Sequence, residues 1–493
     1  MKIKQSILSL TKTNLFVFLT VFVYSILTII CLNNGYFWDN IQQTSKEAHW
    51  YFLSDFKTLL MPAFDSGAYI VATGYHPPLM GLITAVLWKV FGYNLWVSHL
   101  FIFFWATVLM YNLLKLIRIF FSEEYVGWVF FIVLIESTLI TQFAVASPDF
   151  IMFTAFVISL RALLKHKPIL LTVGLFFLCC INMRGIFIGA ILLIVHIFYT
   201  YLESNKKFNL HLIFKTILPY FPVLIILLAY FIYYFISRGW FFSNPSNYGG
   251  QYSQTTGSVN IIRHLASFIL RSVENGRIII WVLGIYVTFL TLKSKKVLSP
   301  YLKVIIQIFL LLNGLYFLFI FITKMPFSER YFMPQFFLLT IIVMLGIINF
   351  LPVRKIKLAF FLIICFELSG HFWIYPEKMV TFWDCTLAHL PFYELREECF
   401  AYIEHQKIDY KDVSGSFCLY DDRCFVELKN AGKIIGESDK SKYYIYSNIS
   451  NAPDEWFDQL NTSNRLVPLK RFEKGLVYIT IYKNTSYKDP VKQ

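Results

Sequence analysis

Long apolar runs joined by short polar connectors occupy the chain as far as about residue 375. A helix that crosses a bilayer needs about 20 mostly apolar residues in succession, whereas a soluble helix has one apolar and one polar face. In lipid, a helix satisfies its backbone hydrogen bonds internally. The pattern therefore predicts a polytopic helical bundle. The apolar runs cover residues 13–33, 77–91, 96–118, 125–146, 149–166, 168–183, 185–201, 215–237, 277–292, 300–323, 330–350 and 358–375.

The run at residues 77–91 is short and follows two prolines, so we predict that it lies along the membrane interface. With this placement, alternate connectors carry eighteen basic residues, and the positive-inside rule makes that side cytoplasmic. The prediction is eleven spanning helices, a cytoplasmic N-terminus and an external C-terminal region. The short connectors on the external side, after the third, fifth and ninth predicted helices, hold only Arg184, Lys324 and Arg330. The eighteen cytoplasmic residues are Lys2, Lys4, Lys12, Lys115, Arg118, Arg161, Lys165, Lys167, Lys206, Lys207, Lys215, Lys293, Lys295, Lys296, Lys303, Arg354, Lys355 and Lys357.

Composition supports the membrane class, since 57% of the residues are hydrophobic and 15% are charged, against about 25% charged in soluble domains. The net charge of +14 does not indicate nucleic acid, because the basic excess lies at the ends of apolar runs. Residues 376–493 hold 16 Lys and Arg and 18 Asp and Glu. This change at Tyr375 predicts a membrane part, 1–375, and a small external α/β or α+β domain, 376–493.

In the external domain, residues 381–405 have a helical pattern. Two cysteines, Cys385 and Cys399, lie in this stretch, and Cys418 and Cys424 follow it. We predict a hairpin in which a disulfide joins Cys418 to Cys424, which leaves Cys385 to form a disulfide with Cys399. Four reduced, buried thiols are the alternative. The strand-like runs are residues 416–420, 424–428, 443–447 and 476–482.

The predicted topology places five unusual polar residues on the external face. Two carboxylates, two guanidiniums and one imidazole there could form a charged site. A long outer loop, Arg238–Gly276, contains aromatic and glycine-rich runs, and loops of this length commonly bind ligands. The five residues are Asp39, His76, Asp149, Arg184 and Arg330.

Several of these residues also have a purely structural interpretation. Ser147-Pro148-Asp149 is a favourable helix start, so Asp149 fits a capping role. Arg330 fits a headgroup anchor, Asp39 a solvated loop charge and His76 a turn residue. Glu136 lies within an apolar run, where it is either functional or a protonated, hydrogen-bonded residue of the bundle.

Three short motifs occur in the order found in one enzyme family. Gly74-Tyr75-His76-Pro77-Pro78-Leu79 resembles the HPPL element of glycosyltransferase family 39, the superfamily of protein O-mannosyltransferases and aminoarabinose transferases within the GT-C class. Ala146-Ser147-Pro148-Asp149 resembles its TPD element, and Glu329-Arg330-Tyr331-Phe332-Met333-Pro334 its RYxxP element. Trp38-Asp39-Asn40 keeps the Asp of the family's first outer loop and replaces the following Glu. The resemblance covers about residues 13–350.

The resemblance implies a GT-C membrane glycosyltransferase that takes a sugar from a polyprenyl-phosphate carrier and passes it, with inversion, to an acceptor at the outer face. By the same likeness, Asp39 is the catalytic base. The transfer reaction also needs fixed positive charge beside the phosphate as it leaves. Arg330 is the first candidate for this charge, with Arg184 and His76 in support. Asp149 and Tyr331 would orient the acceptor or a cation.

The expected partners are the lipid-linked sugar, membrane lipids and an acceptor that is a lipid, a polysaccharide or a protein hydroxyl, and nucleic acid is not expected. No cofactor is required, no metal ligands are assigned, and a divalent cation is left open. The expected location is a bacterial plasma membrane. The alternative is a transporter or flippase of a lipid-linked sugar or other lipid, which would place its charges at the bilayer midplane on broken helices.

Overall fold

The computed structural model describes residues 2–60, 76–204, 210–239, 258–294, 299–322, 327–379, 381–436, 441–450 and 457–487, except residues 459, 461, 463 and 464. Helices form most of this chain as far as residue 369. Their bounds are α1 (Lys2–Cys31), α2 (Glu47–Leu53), α3 (Leu79–Phe91), α4 (Leu95–Phe120), α5 (Glu123–Leu134), α6 (Ser137–Ala144), α7 (Pro148–Leu164), α8 (Pro168–Ile181), α9 (Met183–Glu203), α10 (Leu210–Ile217), α11 (Phe221–Arg238), α12 (Ser258–Val273), α13 (Ile278–Ser294), α14 (Pro300–Ile322), α15 (Met333–Phe350) and α16 (Val353–Ser369).

Six helical segments of the described chain are long and apolar enough to cross a membrane, and two bent helix pairs raise the number to eight. The predicted class of polytopic helical membrane protein is thereby confirmed, while the count of eleven spans and the orientation stay predictions. The six segments are Thr13–Cys31, Leu95–Phe120, Met183–Glu203, Leu210–Ser237, Pro300–Phe321 and Glu329–Phe350.

The two bent pairs differ from the sequence predictions. The run at 125–146 is interrupted between α5 and α6, which meet at 60°, because Glu136 leaves the helical conformation and its Oε2 accepts the N–H of Leu139 at 2.8 Å. In the second pair, α12 and α13 meet at 89°. Here Gly276 has φ +83, and a Cβ would lie 2.0 Å from the carbonyl oxygen of Phe366.

Part of the predicted outer loop is therefore helical. Its segment Ser258–Val273 is α12, an amphipathic helix. The prediction missed it because its polar and basic residues keep it from forming a long apolar run, although its apolar residues have helical spacing. The aromatic and glycine-rich part, residues 240–257, lies outside the described residues. The same holds for Gly74 and Tyr75 of the first motif and for several connector residues of the topology prediction: Lys206, Lys207, Lys295, Lys296 and Lys324.

Helix α7 lies at the centre of the bundle. Sixteen of its residues, from Pro148 to Leu164, are buried, and it packs against α4 and α8. Helix α15 is also largely buried, as far as Ile347. Buried helices of this kind are apolar on all sides, and they give the charged residues at their N-terminal ends a fixed position.

The C-terminal region forms a small sheet with one long helix, α17 (Pro391–His405). The strands are β1 (Val413–Gly415), β2 (Asp421–Asp422), β3 (Ile434–Ile435), β4 (Tyr443–Ser447), β5 (Leu466–Lys474) and β6 (Val477–Asn484). The sheet has the order β1-β4-β6-β5, with β1 and β4 parallel and the other pairs antiparallel, and β2 and β3 form a separate antiparallel pair.

The predicted strands at 443–447 and 476–482 are confirmed as β4 and β6. Those at 416–420 and 424–428 are wrong, since turns and a short helix, α18 (Arg423–Glu427), occupy them.

The cysteine prediction is wrong, because all eight cysteines are free thiols. Cys418 lies in a turn with φ +71. Cys424 lies in α18, which begins there because Asp422 Oδ1 accepts the N–H of Cys424 at 3.0 Å. No hairpin therefore brings these two thiols to facing positions. Cys385 and Cys399 are both buried, Cys399 within α17.

The C-terminal region packs directly on the helical part. Phe37 and Trp38, which follow α1, share an apolar cluster with Trp383 and Phe392. Lys46 and Asp421 add an ion pair of 2.6 Å across the same contact, with the Lys46 side chain 1% exposed. The two parts therefore form a joint core at one end of the helices, and the boundary at residue 375 remains a prediction.

Candidate active site

Three chain segments that the sequence singled out begin helices at the same end of the bundle. Asp149 stands in the first turn of α7, where Ser147 Oγ accepts its N–H at 3.1 Å. Arg184 stands in the first turn of α9, where Asn182 Oδ1 accepts its N–H at 3.0 Å. Arg330 lies in a 3-10 turn, Glu329–Phe332, that leads into α15. Side-chain caps therefore fix the backbone at Asp149 and Arg184, whereas Arg330 is positioned by the 3-10 turn itself.

Arg330 is the centre of the cluster. Its Nη2 donates to Asp39 Oδ2, and its Nη1 donates to Asp384 Oδ2. Its Nε lies 3.4 Å from Asp149 Oδ2. The Arg330 side chain is 7% exposed, so three carboxylates surround a guanidinium that is almost fully buried. This geometry does not fit an anchor that extends to lipid headgroups.

Arg184 completes the charged cluster from the other side of Asp149. Its Nη2 donates to both Asp149 oxygens, at 2.6 and 2.8 Å. The Cζ of Arg184 lies 4.0 Å from the centre of the Tyr331 ring, and the Cζ of Arg330 lies 5.6 Å from it. The Tyr331 ring therefore lies close to both guanidiniums and attracts them. Asp149 serves in helix initiation and in the ion-pair cluster at once.

His76 reaches the same place from the segment before α3. Its Nδ1 accepts the N–H of Met183 at 3.2 Å. Desolvation, and next the charge of Arg184, lower the pKa of His76 to about 4. The imidazole is therefore neutral near pH 7, and it contributes a hydrogen bond rather than positive charge.

Asp384 is the site residue that sequence reasoning missed. It lies in a short turn, Trp383–Cys385, after the last apolar run, and Gln142 Nε2 donates to its backbone carbonyl at 2.7 Å. Burial raises the pKa of Asp384 to about 6, although Arg330 opposes this shift. No local sequence signal marks it, because Trp-Asp in a mixed, charged stretch is ordinary.

A second buried ion-pair network lies beside the first. Arg277, at the bend between α12 and α13, donates from Nε to Glu136 Oε1 at 2.9 Å and from Nη2 to Thr138 at 2.8 Å. Its Nη1 lies 3.2 Å from the carbonyl oxygens of Arg271 and Glu329. Glu136 is therefore ion-paired, and Arg277 joins both bends to the residue that precedes Arg330.

Chemically, the first cluster combines two fixed guanidiniums with one accessible carboxylate. The Asp39 side chain is 34% exposed, whereas those of Asp149 and Asp384 are 3% and 1% exposed. Asp39 is therefore the acid that an external molecule can reach. Within the described part of the chain, no three His, Cys, Asp or Glu side chains are arranged to hold a metal ion.

Comparison with known proteins identifies the fold. No protein-family model matches the sequence, and no curated protein matches it. Two solved structures are similar, those of ArnT from Cupriavidus metallidurans bound to undecaprenyl phosphate, with a TM-score of 0.51, and in the apo state, with 0.53. Each shares 11% identity and covers 94% of this chain and 97% of the other. The chain therefore has the fold of ArnT along nearly its whole length, which confirms the membrane fold that the three motifs predict.

Proposed function

We propose that this protein is a membrane glycosyltransferase that moves a sugar from a polyprenyl-phosphate donor to an acceptor hydroxyl. The observation that carries the proposal is the meeting of Asp39, Arg330 and Arg184 at one end of the membrane helices. An accessible carboxylate beside one buried and one partly buried guanidinium matches the demands of the reaction. One group must take a proton, and others must stabilise a phosphate as it leaves.

In the proposed reaction, the acceptor oxygen attacks the anomeric carbon of the sugar while the bond from that carbon to the phosphate oxygen breaks. Asp39 takes the acceptor proton, and the electron pair of the broken bond remains on the phosphate. Arg330 and Arg184 stabilise this charge, since guanidinium forms planar, charge-assisted contacts to phosphate. Attack opposite the leaving group inverts the anomeric centre.

Three further residues support this arrangement. Asp149 holds Arg184 through two hydrogen bonds and lies beside Arg330, so we assign it to positioning of the guanidiniums as well as of the acceptor or a cation. Tyr331 stacks against Arg184 and offers an aromatic face to a sugar. His76 fixes the start of α9 through the N–H of Met183.

The membrane fold supports a lipid-linked donor. One ArnT structure with this fold is bound to undecaprenyl phosphate, and we propose a polyprenyl phosphate of this kind as the carrier here. The charge asymmetry of the connectors supports an external site in a bacterial plasma membrane. The acceptor is proposed only as a hydroxyl of a lipid, polysaccharide or protein.

The second buried network gives the transporter alternative little support. Transporters bind their cargo where broken helices expose polar groups to a cavity. Here the broken helices do carry charges, but Arg277 is 0% exposed and all three of its guanidinium nitrogens donate within the protein. This cation therefore fixes the two bends and offers nothing to a solute.

Mass spectrometry of membrane lipids and cell-envelope glycans from a strain that lacks the protein tests the proposal. We expect a polyprenyl-phosphate sugar to accumulate and one glycosylated product to disappear, and the wild-type gene to reverse both. The Asp39→Asn variant should reverse neither. Unchanged lipids and glycans in the deletion strain would contradict the proposal.

A further inference from the structure

Three carboxylates already contact the Arg330 guanidinium. Its Nη1 donates to Asp384, its Nη2 donates to Asp39, and its Nε lies 3.4 Å from Asp149. A guanidinium has five N–H groups, so a phosphate oxygen can bind one that these contacts do not use. A phosphate bound there lies close to the three carboxylates and competes with them for the guanidinium.

The charge of the cluster leads to the same conclusion. Arg184 and Arg330 supply two positive charges, and Asp39, Asp149 and Asp384 supply three negative charges when all are ionised. A phosphate that enters this buried place meets net negative charge, and like charges at close range are unfavourable there. Binding is favoured when one carboxylate leaves or takes a proton.

Role and contacts identify which carboxylate this is. Asp39 is 34% exposed and is the proton acceptor of the proposed reaction, so its charge is needed in the site. Asp149 is held by two hydrogen bonds from Arg184 and by Asn182 Nδ2 at 3.1 Å. Apart from Arg330, the Asp384 carboxylate has two longer contacts among the described residues, at 3.4 Å to Gln142 Nε2 and at 3.5 Å to Cys385 Sγ. Of the two buried carboxylates, that of Asp384 is therefore held more weakly.

We propose that Asp384 is a counter-ion of Arg330 that competes with the donor phosphate for this guanidinium and loses its contact with Nη1 when the phosphate binds. The C-terminal region thereby contributes a positioning residue to the membrane site. This inference rests on the proposed function, and it adds to it a residue that competes with the phosphate.

Protonation of Asp384 would favour replacement of its carboxylate by the phosphate at Arg330. Burial raises the pKa of Asp384 to about 6, against the lowering effect of Arg330. The other charged or titratable groups that act on it are Asp39, Glu329 and Cys385. Below about pH 6 Asp384 is neutral and competes weakly for Arg330, and above it the ionised carboxylate competes strongly. Phosphate affinity should therefore fall as the pH rises through about 6.

Binding of undecaprenyl phosphate to the full-length protein in nanodiscs, measured at several values between about pH 5 and about pH 8, tests the inference. At the upper end, Asp384→Asn should bind roughly tenfold more tightly than the wild type, because one like charge has been removed at close range. The ionisation of the lipid phosphate affects both proteins equally. The difference between their curves therefore reports Asp384.

Asp421→Asn is the matched control, since Asp421 also lies in the C-terminal region and pairs with a buried cation of the helical part, Lys46. It should not change the affinity or its pH dependence. If Asp384 only docked the C-terminal region, both variants would act alike. Equal or weaker binding by Asp384→Asn, with an unchanged pH curve, overturns the inference and leaves the proposed function standing.

A second measurement uses the wild-type protein and tests the inference even if Asp384→Asn does not fold. The methyl ester of undecaprenyl phosphate has no second ionisation, so the affinity of the wild-type protein for it should fall as the pH rises through about 6. A flat curve overturns the inference. Absence of binding of either lipid to the wild type contradicts the proposed function and, with it, the inference.

Discussion

Arg330 donates a hydrogen bond to Asp39, although the two residues lie 291 positions apart in the chain. In the proposed reaction these are the residues that stabilise the leaving phosphate and accept the proton of the acceptor. Their contact places the phosphate-stabilising group next to the proton acceptor, at the N-terminal end of α15. A sugar whose phosphate binds Arg330 therefore lies next to the only accessible carboxylate among the three that surround this guanidinium.

Replacement of Asp39 tests the proton acceptor. Asp39→Asn should lower turnover by about 10²-fold to 10⁴-fold, because a general base commonly contributes that much. Binding of undecaprenyl phosphate should be retained or become tighter, since no positive charge is lost and one negative charge beside Arg330 is removed. Asp55→Asn is the control, as Asp55 is 69% exposed and pairs only with Lys89 among the described ion pairs. Turnover near the wild-type rate in Asp39→Asn would remove it from the mechanism.

Activity should depend on both the positive charge and the forked shape of the Arg330 side chain. Arg330→Ala leaves three carboxylates facing one another, and the loss of one partner from a buried ion pair costs about 3–5 kcal/mol. We expect a lower unfolding temperature and weak binding of undecaprenyl phosphate. Arg330→Lys keeps the charge without the forked geometry, so it should bind better than Arg330→Ala and still turn over slowly. Full activity in both variants would return Arg330 to a structural role.

The pair of Glu136 and Arg277 should contribute to stability rather than to chemistry. Arg277→Met leaves the Glu136 charge buried and should lower the free energy of unfolding by about 3–5 kcal/mol. Glu136→Gln with Arg277→Met should cost less than the sum of the single changes. The check is a double-mutant cycle on purified protein in detergent, with the exposed pair of Lys378 and Asp458 as control. Additive effects within about 0.5 kcal/mol would show that the pair is not coupled.

His76 should act through its hydrogen bond to Met183 and not as a cation. Because its pKa lies near 4, its charge does not change between about pH 5.5 and about pH 8. His76→Asn supplies another acceptor, so its turnover should follow the wild-type pH profile over that range. His76→Leu removes the acceptor and should be slower at every pH. A wild-type activity that declines above about pH 6.5 and is flat in His76→Asn would instead show that His76 acts as a cation.

The sequence predicted the helices and identified charged residues that meet in the structure, for physical reasons that can be named. Uninterrupted apolar runs identify helices such as α4 and α14, because burial in lipid requires them. Ser147-Pro148-Asp149 and Asn182 announce the starts of α7 and α9 through side-chain caps. The charges at Asp149, Arg184 and Arg330 stand out because a membrane bundle rarely buries ionised groups.

What the sequence could not predict depends on contacts between distant segments. The bend at Glu136 is stabilised by Arg277, which lies 141 positions away. Asp384 becomes a site residue only because the C-terminal region packs on the start of α15. Strand β5 contains a proline and four charged residues and is mostly exposed, so it has no strong local signal, and pairing with β6 defines it. Capping is local, whereas these features are tertiary.

The central claim is that this protein breaks the bond between a sugar and a polyprenyl phosphate. The most direct measurement incubates the purified protein in liposomes with radiolabelled undecaprenyl-phosphate sugars and a cell-envelope acceptor extract, and follows the lipid by chromatography. We predict free undecaprenyl phosphate and labelled acceptor in equal amounts, with neither formed by Asp39→Asn. Movement of the intact lipid-linked sugar across the liposome membrane, without any release of undecaprenyl phosphate, would contradict the account and identify a flippase.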